Sequence, residues 1–192
     1  MQISSQQTLP ASQDNAWAAL NDINVLKACI PGCESITETE PGRYEVLITA
    51  AVGPVKAKFK GKLGLADMKP PESYTINFEG QGGAAGHGKG SAKVRLEHTG
   101  LNQSVLHYSA DASVGGKIAQ IGQRLVDMAA QKMAADFFAS FNRQILLLYP
   151  PDPASSGTTA AEAESASGVG RDEPAGIWTR LQRWLRGLLG KG

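Results

Sequence analysis

Between Val55 and Leu65 the chain alternates without a break: Val55, Ala57, Phe59, Gly61, Leu63 and Leu65 against Lys56, Lys58, Lys60 and Lys62. A period of two belongs to a β-strand, because successive side chains leave the pleated backbone on opposite faces. One face of this strand is apolar and the other is cationic. Such a strand fits an antiparallel sheet with one dry side and one wet side. The pattern recurs along the chain. Tyr44, Val46, Ile48, Ala50 and Val52 alternate with Arg43, Glu45, Leu47 and Thr49. Tyr74, Ile76 and Phe78 do the same, as do Ala92, Val94, Leu96 and His98, then Leu106, Tyr108, Ala110 and Ala112. Gln2 to Leu9 alternates weakly, and Glu34 to Glu40 is short and polar. Pro41-Gly42, Gly53-Pro54 and Pro70-Pro71 break the runs, so the strands predict a meander joined by short turns.

A sheet with one dry face needs a cover. Two short helical pieces follow the first strand. One is capped by Ser12 or Asp14 and carries Ala16, Trp17 and Leu20; the other runs from Asn24 to Ala28 and ends at Pro31-Gly32. The main cover is a long helix over Gly116 to Leu148, with Ile118, Ile121, Leu125, Met128, Met133, Phe137, Phe141 and Ile145 as its apolar positions. The stripe of Ile118, Ile121 and Leu125 lies about a third of a turn from that of Phe137, Phe141 and Leu148. Either the helix bends, or one half faces the sheet and the other borders a cavity. The order β-α-α-β-β-β-β-β-β-α predicts an α+β helix-grip fold: a curved antiparallel sheet around one long C-terminal helix, with a hollow between them.

This body takes residues 1–149 of 192, enough for one domain with a sizeable core. Residues 150–175 are rich in Pro, Ala, Ser and Gly and hold one large aliphatic, Val169. With so little apolar area to bury, this segment is expected to be a disordered tether spanning roughly 25–30 Å on average. Residues 176–192 change character again. On a helix, Ile177, Trp178, Leu181, Trp184, Leu185, Leu188 and Leu189 share one face, while Arg180, Arg183 and Arg186 share the other. No acid interrupts the set. A helix of this kind suits the headgroup layer of an anionic membrane and is too short and too charged to span it. Each fully buried apolar side chain contributes about 1.5–3 kcal/mol, and each Arg near an anionic leaflet about 1 kcal/mol. The alternative is docking onto the body or onto a protein partner; Trp and Arg together favour the boundary between lipid and water. The formal net charge of +1 gives no pull toward nucleic acid. The N-terminus lacks a basic n-region and an apolar h-region, which predicts no export signal and, with two cysteines, a cytoplasmic protein.

The sequence offers no catalytic set. His87, His98 and His107 are scattered, although His98 and His107 could face each other across a hairpin. Cys29 and Cys33 flank Ile30-Pro31-Gly32 with no third or fourth ligand nearby, so a zinc site is not expected and small buried residues are. The run from Gly80 to Gly90 lacks the Gly-Lys-Ser/Thr ending of a phosphate loop. Its missing side chains would instead let strands bend or leave room inside. The lysines at 56, 58, 60 and 62 read as a solvated face or as a docking patch for protein or anionic lipid.

Several segments resemble the CoxG family of carbon monoxide dehydrogenase accessory proteins, in the START-like, or SRPBCC, superfamily. They are Cys29-Ile30-Pro31-Gly32-Cys33-Glu34, Val55 to Gly61, the run Gly80 to Gly86, and Gly115-Gly116-Lys117-Ile118-Ala119-Gln120-Ile121-Gly122. The resemblance covers residues 1–148. It implies a non-catalytic accessory protein of a molybdenum carbon monoxide dehydrogenase or a related molybdenum hydroxylase, placed at the inner face of the cytoplasmic membrane. START-like cavities hold hydrophobic ligands, and a dehydrogenase feeding a respiratory chain needs a quinone. The expected ligand is therefore a respiratory quinone, menaquinone or ubiquinone. The expected cavity residues are Trp17, Leu26, Ile30, Phe59 and Phe78, with Tyr108, Ile118, Ile121 and Leu125. One alternative is a pure membrane adaptor without ligand, its hollow filled by its own side chains; the enzymatic alternative is a cyclase or aromatase of the START-like type, with Asp111 and His98 as its only candidates for acid–base work.

Overall fold

The structure, a computed structural model, describes residues 1–150. The expected tether beyond Pro150 and the expected amphipathic tail, with Ile177 to Leu189, lie outside the described residues. Seven strands follow the alternating runs: β1 Gln2–Leu9, β2 Cys33–Glu40, β3 Arg43–Val52, β4 Val55–Lys69, β5 Ser73–Gln81, β6 His87–Gly100 and β7 Gln103–Gly115. The helices are α1 Gln13–Leu20, α2 Ile23–Cys29, α3 Lys117–Gln120 and α4 Gln123–Leu148. All strands pair antiparallel in one sheet of order β1-β7-β6-β5-β4-β3-β2. The five hairpin links from β2 to β7 are sequential; only β1 reaches across, through α1 and α2, to close on β7.

Local chemistry sets the helix ends. Ser12, not Asp14, caps α1, its hydroxyl accepting from the Asn15 N–H at 3.3 Å. Asp22 caps α2 by accepting from Asn24 N at 2.8 Å, which satisfies a donor that the first turn otherwise leaves unpaired. After α2 the chain turns through Gly32 (φ +71°), whose carbonyl accepts from Thr49 N at 2.9 Å. A Cβ on Gly32 would collide with the Thr49 carbonyl. The Pro-Gly between the two cysteines is thus a close backbone crossing that pins α2 to β3.

The helix expected over Gly116 to Leu148 is divided. Gly122 (φ +97°) separates the single turn of α3 from the 26 residues of α4. The bend resolves the two stripes: the line of Ile118 and Ile121 belongs to α3 and the link, not to α4. Along α4 the buried residues are Val126, Phe138, Phe141 and Ile145. Leu125 and Met128, which the sequence places on the apolar stripe, are instead 42 % and 57 % exposed, and Val126 is the buried position in these turns.

The register shows which face is dry. Paired residues on neighbouring antiparallel strands point the same way. Tyr108, Val94 and Tyr74 are joined in one row, and Tyr108 packs on Phe138 of α4 with ring centroids 5.4 Å apart. The helix therefore covers the face carrying the apolar alternation, and Lys56, Lys58, Lys60 and Lys62 point outward. The densest packing lies at one end of this face. Leu9, Leu96 and Leu106 meet α1 and α2 and the C-terminal half of α4, where Phe141 and Ile145 are fully buried. Trp17 of α1 closes edge-on against Tyr74 there, at 5.4 Å. Removing a fully buried aromatic ring costs about 3–5 kcal/mol. Phe141→Ala should lower the unfolding free energy by that amount in a urea titration, while Met128→Ala, on the exposed side of the same helix, should change it by less than about 0.5 kcal/mol.

Candidate functional site

Beyond the packed end, the inner wall of the sheet stays apolar but loses its cover. Ile48, Ala50, Phe59, Leu63, Phe78 and Ala92 all face inward, yet each is only half-buried. The reason lies in one row across the sheet. Val46 pairs with Gly61, Gly61 with Gly80, Gly80 with Gly88, and Gly88 with Val114. Three adjacent strands thus present bare backbone side by side. The rows beside it carry Phe59 and, across Leu63, Phe78. The result is an apolar trough with a glycine floor flanked by Phe59 and Phe78; α3 meets β7 at one side of it, and Ile121 and Leu125 reach the β3–β4 turn at the other.

These three glycines differ from Gly82, Gly86 and Gly90. At Gly82 a Cβ would collide with the Phe59 ring; at Gly86 (φ +119°) it would collide with the Gly115 carbonyl; at Gly90 it would strike the Asp111 carbonyl. Those positions need glycine for close approach. At Gly61, Gly80 and Gly88 the nearest atoms to a Cβ lie at 3.5, 3.9 and 3.6 Å, ordinary contact distances. Backbone geometry does not demand glycine at the floor; what glycine does there is leave space. A cavity of about 250 Å³ opens onto this end between Ala112 and Val114 of β7 and Ala119, Gln123 and Val126 of the helical cover.

The expected lining residues separate into groups. Phe59, Phe78 and Tyr108 share the inner wall and are half-buried. Ile118 is buried on α3, and Ile121 and Leu125 lie against Gly53 at the β3–β4 turn, each 3.7 Å from where its Cβ would be. Phe59, Phe78, Ile118, Ile121 and Leu125 lie toward the open end, whereas Tyr108, in the row of Val94 and Tyr74 and packed on Phe138, belongs to the packed end. Trp17 stands in the packed end instead, and Leu26 and Ile30 lie half-buried on and just after α2. Sequence reasoning passed over Tyr44, Val46 and Ile48 on β3, although their alternation is plain, and Gly80 and Gly88, which only the register places beside Gly61.

The ionisable groups near the wall are poorly suited to catalysis. Burial, and secondarily the Glu38 carboxylate, pushes the Tyr44 phenol up, and burial pushes the Tyr74 phenol far above its ordinary range. Burial likewise raises the Cys29 and Cys33 thiols, against the weaker opposing charges of Arg143 and Lys27, which keeps both protonated at neutral pH. Asp111 pairs with Gln2 and Ser91 and faces outward, away from the trough. His98 pairs with Ser104 at the far end of the β6–β7 hairpin. The two histidines do not face each other: His107 pairs with Arg95, and its Nε2 lies 3.1 Å from Glu97 Oε2. Among the described residues no three or more His, Cys, Asp or Glu gather as a metal site. No helix of the described residues is long and apolar enough to cross a membrane. Larger concavities lie on the outer face. One of about 1200 Å³ carries Lys62, Glu79, Lys89 and Asp111 among its walls, charged groups that an apolar ligand would have to desolvate.

This architecture is that of the START superfamily, an α+β helix-grip fold. It is shared with a conserved protein from Geobacillus kaustophilus at 28 % identity, covering 77 % of this chain and 96 % of that one with a TM-score of 0.73. A START superfamily protein from Mycobacterium smegmatis matches at 12 % identity over 77 % and 98 % of the two chains, TM-score 0.60. An aromatase/cyclase from a Streptomyces species matches at 12 % over 76 % and 93 %, TM-score 0.57. At that identity the last two show the fold alone. No curated protein matches the chain. The model of the CoxG family, the G-type subunit of carbon monoxide dehydrogenase, matches residues 6–146, and the chain belongs to that family. Membership supports an accessory role beside carbon monoxide dehydrogenase.

The two kinds of glycine should behave oppositely. Gly80→Ala should leave stability unchanged or raise it by about 0.5–1 kcal/mol, since glycine weakens a strand interior. Gly86→Ala should cost about 1–3 kcal/mol, from a left-handed backbone and a carbonyl collision. Thermal melts followed by circular dichroism distinguish them.

Proposed function

We propose that this protein is a non-catalytic carrier that binds a respiratory quinone in the trough and couples a molybdenum carbon monoxide dehydrogenase, or a related molybdenum hydroxylase, to the membrane. The observation that carries the reading is the row Gly61–Gly80–Gly88: an apolar wall emptied of side chains where sterics would permit them. An empty apolar space forfeits dispersion contacts on every side, and a ligand with a long apolar tail restores them. Its quinone ring would meet Phe59 and Phe78, which flank the glycine floor. Either menaquinone or ubiquinone satisfies this chemistry.

The membrane arm of the proposal rests on the sequence of residues 176–192. A tail with Trp178, Trp184, Leu181, Leu185, Leu188 and Leu189 on one face and Arg180, Arg183 and Arg186 on the other would hold the body beside a leaflet from which a quinone can be taken. On this reading the protein works at the inner face of the cytoplasmic membrane, with anionic lipid and the dehydrogenase as its partners.

Organic extraction of protein purified from its native membranes, followed by mass spectrometry, should recover a quinone in near-equimolar amount. Gly80→Leu together with Gly88→Leu should fold normally and lose at least about nine-tenths of that quinone, because each added side chain fills the floor. Quinone recovered equally from the filled variant would put the ligand elsewhere. Deleting residues 176–192 should abolish co-sedimentation with vesicles containing anionic lipid and leave the thermal melt of the body unchanged. Undiminished sedimentation would assign membrane binding to another surface.

A further inference from the structure

The outer face of the sheet holds a second, chemically different place. Near its end β4 leaves its regular register between Ala66 and Lys69, and Asp67 takes a left-handed conformation (φ +51°). The end of β4 thereby walls a concavity of about 700 Å³ on the outer side of β1, β5, β6 and β7. Its floor is two neighbouring rows. In one, Thr75, Lys93, Ser109 and Ser4 are paired across four strands; in the next, Ser73, Arg95, His107 and Gln6. Every one of these side chains can donate a hydrogen bond and none is a carboxylate.

Another row of the outer face, Glu45, Lys62, Glu79 and Lys89, alternates in sign, so both of its lysines stand beside an acid. In the concavity Lys93 has Thr75 and Ser109 as its row neighbours, and no ion pair among the described residues engages Lys93 or Lys69. Two acids are near. Glu97 lies one row beyond and holds Arg95 at 3.0 Å and His107 at 3.1 Å, which fixes both groups in place. Asp67 stands on the rim beside Lys69. Lys69, Lys93 and Arg95 therefore outnumber the acid that lines the same space.

We propose that this concavity binds a phosphate group, with Lys93 and Arg95 supplying charge-assisted hydrogen bonds and the Ser73, Thr75 and Ser109 hydroxyls completing the shell. Oxyanion recognition needs several donors converging from a rigid scaffold, and two paired rows on four strands provide that. The phosphate is either the headgroup of an anionic lipid or a soluble phosphate ester; the volume suits either. The site is independent of the trough, because the two lie on opposite faces of the sheet.

The test uses the full-length protein and inorganic pyrophosphate, measured by isothermal titration calorimetry. One saturable site is expected. Lys93→Gln with Arg95→Gln should weaken it by about tenfold or more, since two charge-assisted donors are lost. Lys56→Gln with Lys60→Gln removes the same charge elsewhere on the face and should leave it unchanged. Non-saturating heats, or equal weakening in the two double variants, would overturn the proposal by reducing it to diffuse charge attraction. Sedimentation with phosphatidylcholine vesicles with and without phosphatidic acid then separates the sources. A headgroup site predicts that the gain from phosphatidic acid is smaller in the Lys93, Arg95 variant than in the parent protein, the remainder being that of residues 176–192; a soluble ester predicts sedimentation like that of the parent protein.

Discussion

One helix is too narrow to cover seven strands. At about 4.8 Å between neighbours the sheet is roughly 29 Å wide, and a helix with its side chains is about 10–12 Å across. Every strand from β3 to β7 nevertheless presents an apolar inner row. The apolar surface must be hidden by curling the sheet, by adding further cover, or by taking in a ligand. The structure adds cover at one end. There α1, α2 and Phe138, Phe141 and Ile145 meet Leu9, Leu96 and Leu106 in a solid core. At the other end the cover thins to α3 and the start of α4, and the sheet carries the row Gly61, Gly80 and Gly88.

This division of labour separates stability from binding. The packed end holds the fully buried side chains and the aromatic contacts of Phe137 with Phe138 and Phe141, so it can carry the folding energy. The open end keeps half-buried walls that would gain from a ligand without being needed for the fold. The backbone crossings at Gly32 against Thr49 and at Gly86 against Gly115 hold the two ends in register with each other.

Much of this was legible in the chain. Strict alternation identifies strands and their dry face because a strand's period is two, and the Lys56 to Lys62 stripe fell outward as its chemistry requires. The family resemblance of residues 29–34 and 115–122 led to the same fold as the helix-grip order did. Two things were hidden. Gly122 sits inside a run that keeps a helical apolar pattern, so the left-handed break and the shift from Leu125 to Val126 as the buried position follow from backbone conformation, not from periodicity. The glycine floor was hidden because Gly61, Gly80 and Gly88 are far apart in sequence and only strand pairing makes them neighbours. The histidine pair failed for the same reason, since the β6–β7 register sets His107 against Arg95.

The central claim is that the trough is built to be filled from outside. A crystal structure of the protein isolated from its native membrane tests it most directly. The account predicts continuous density for an elongated apolar ligand crossing Gly61, Gly80 and Gly88, with its ring between Phe59 and Phe78. Side chains of α4 collapsed onto the glycine row, with no ligand between, would contradict it.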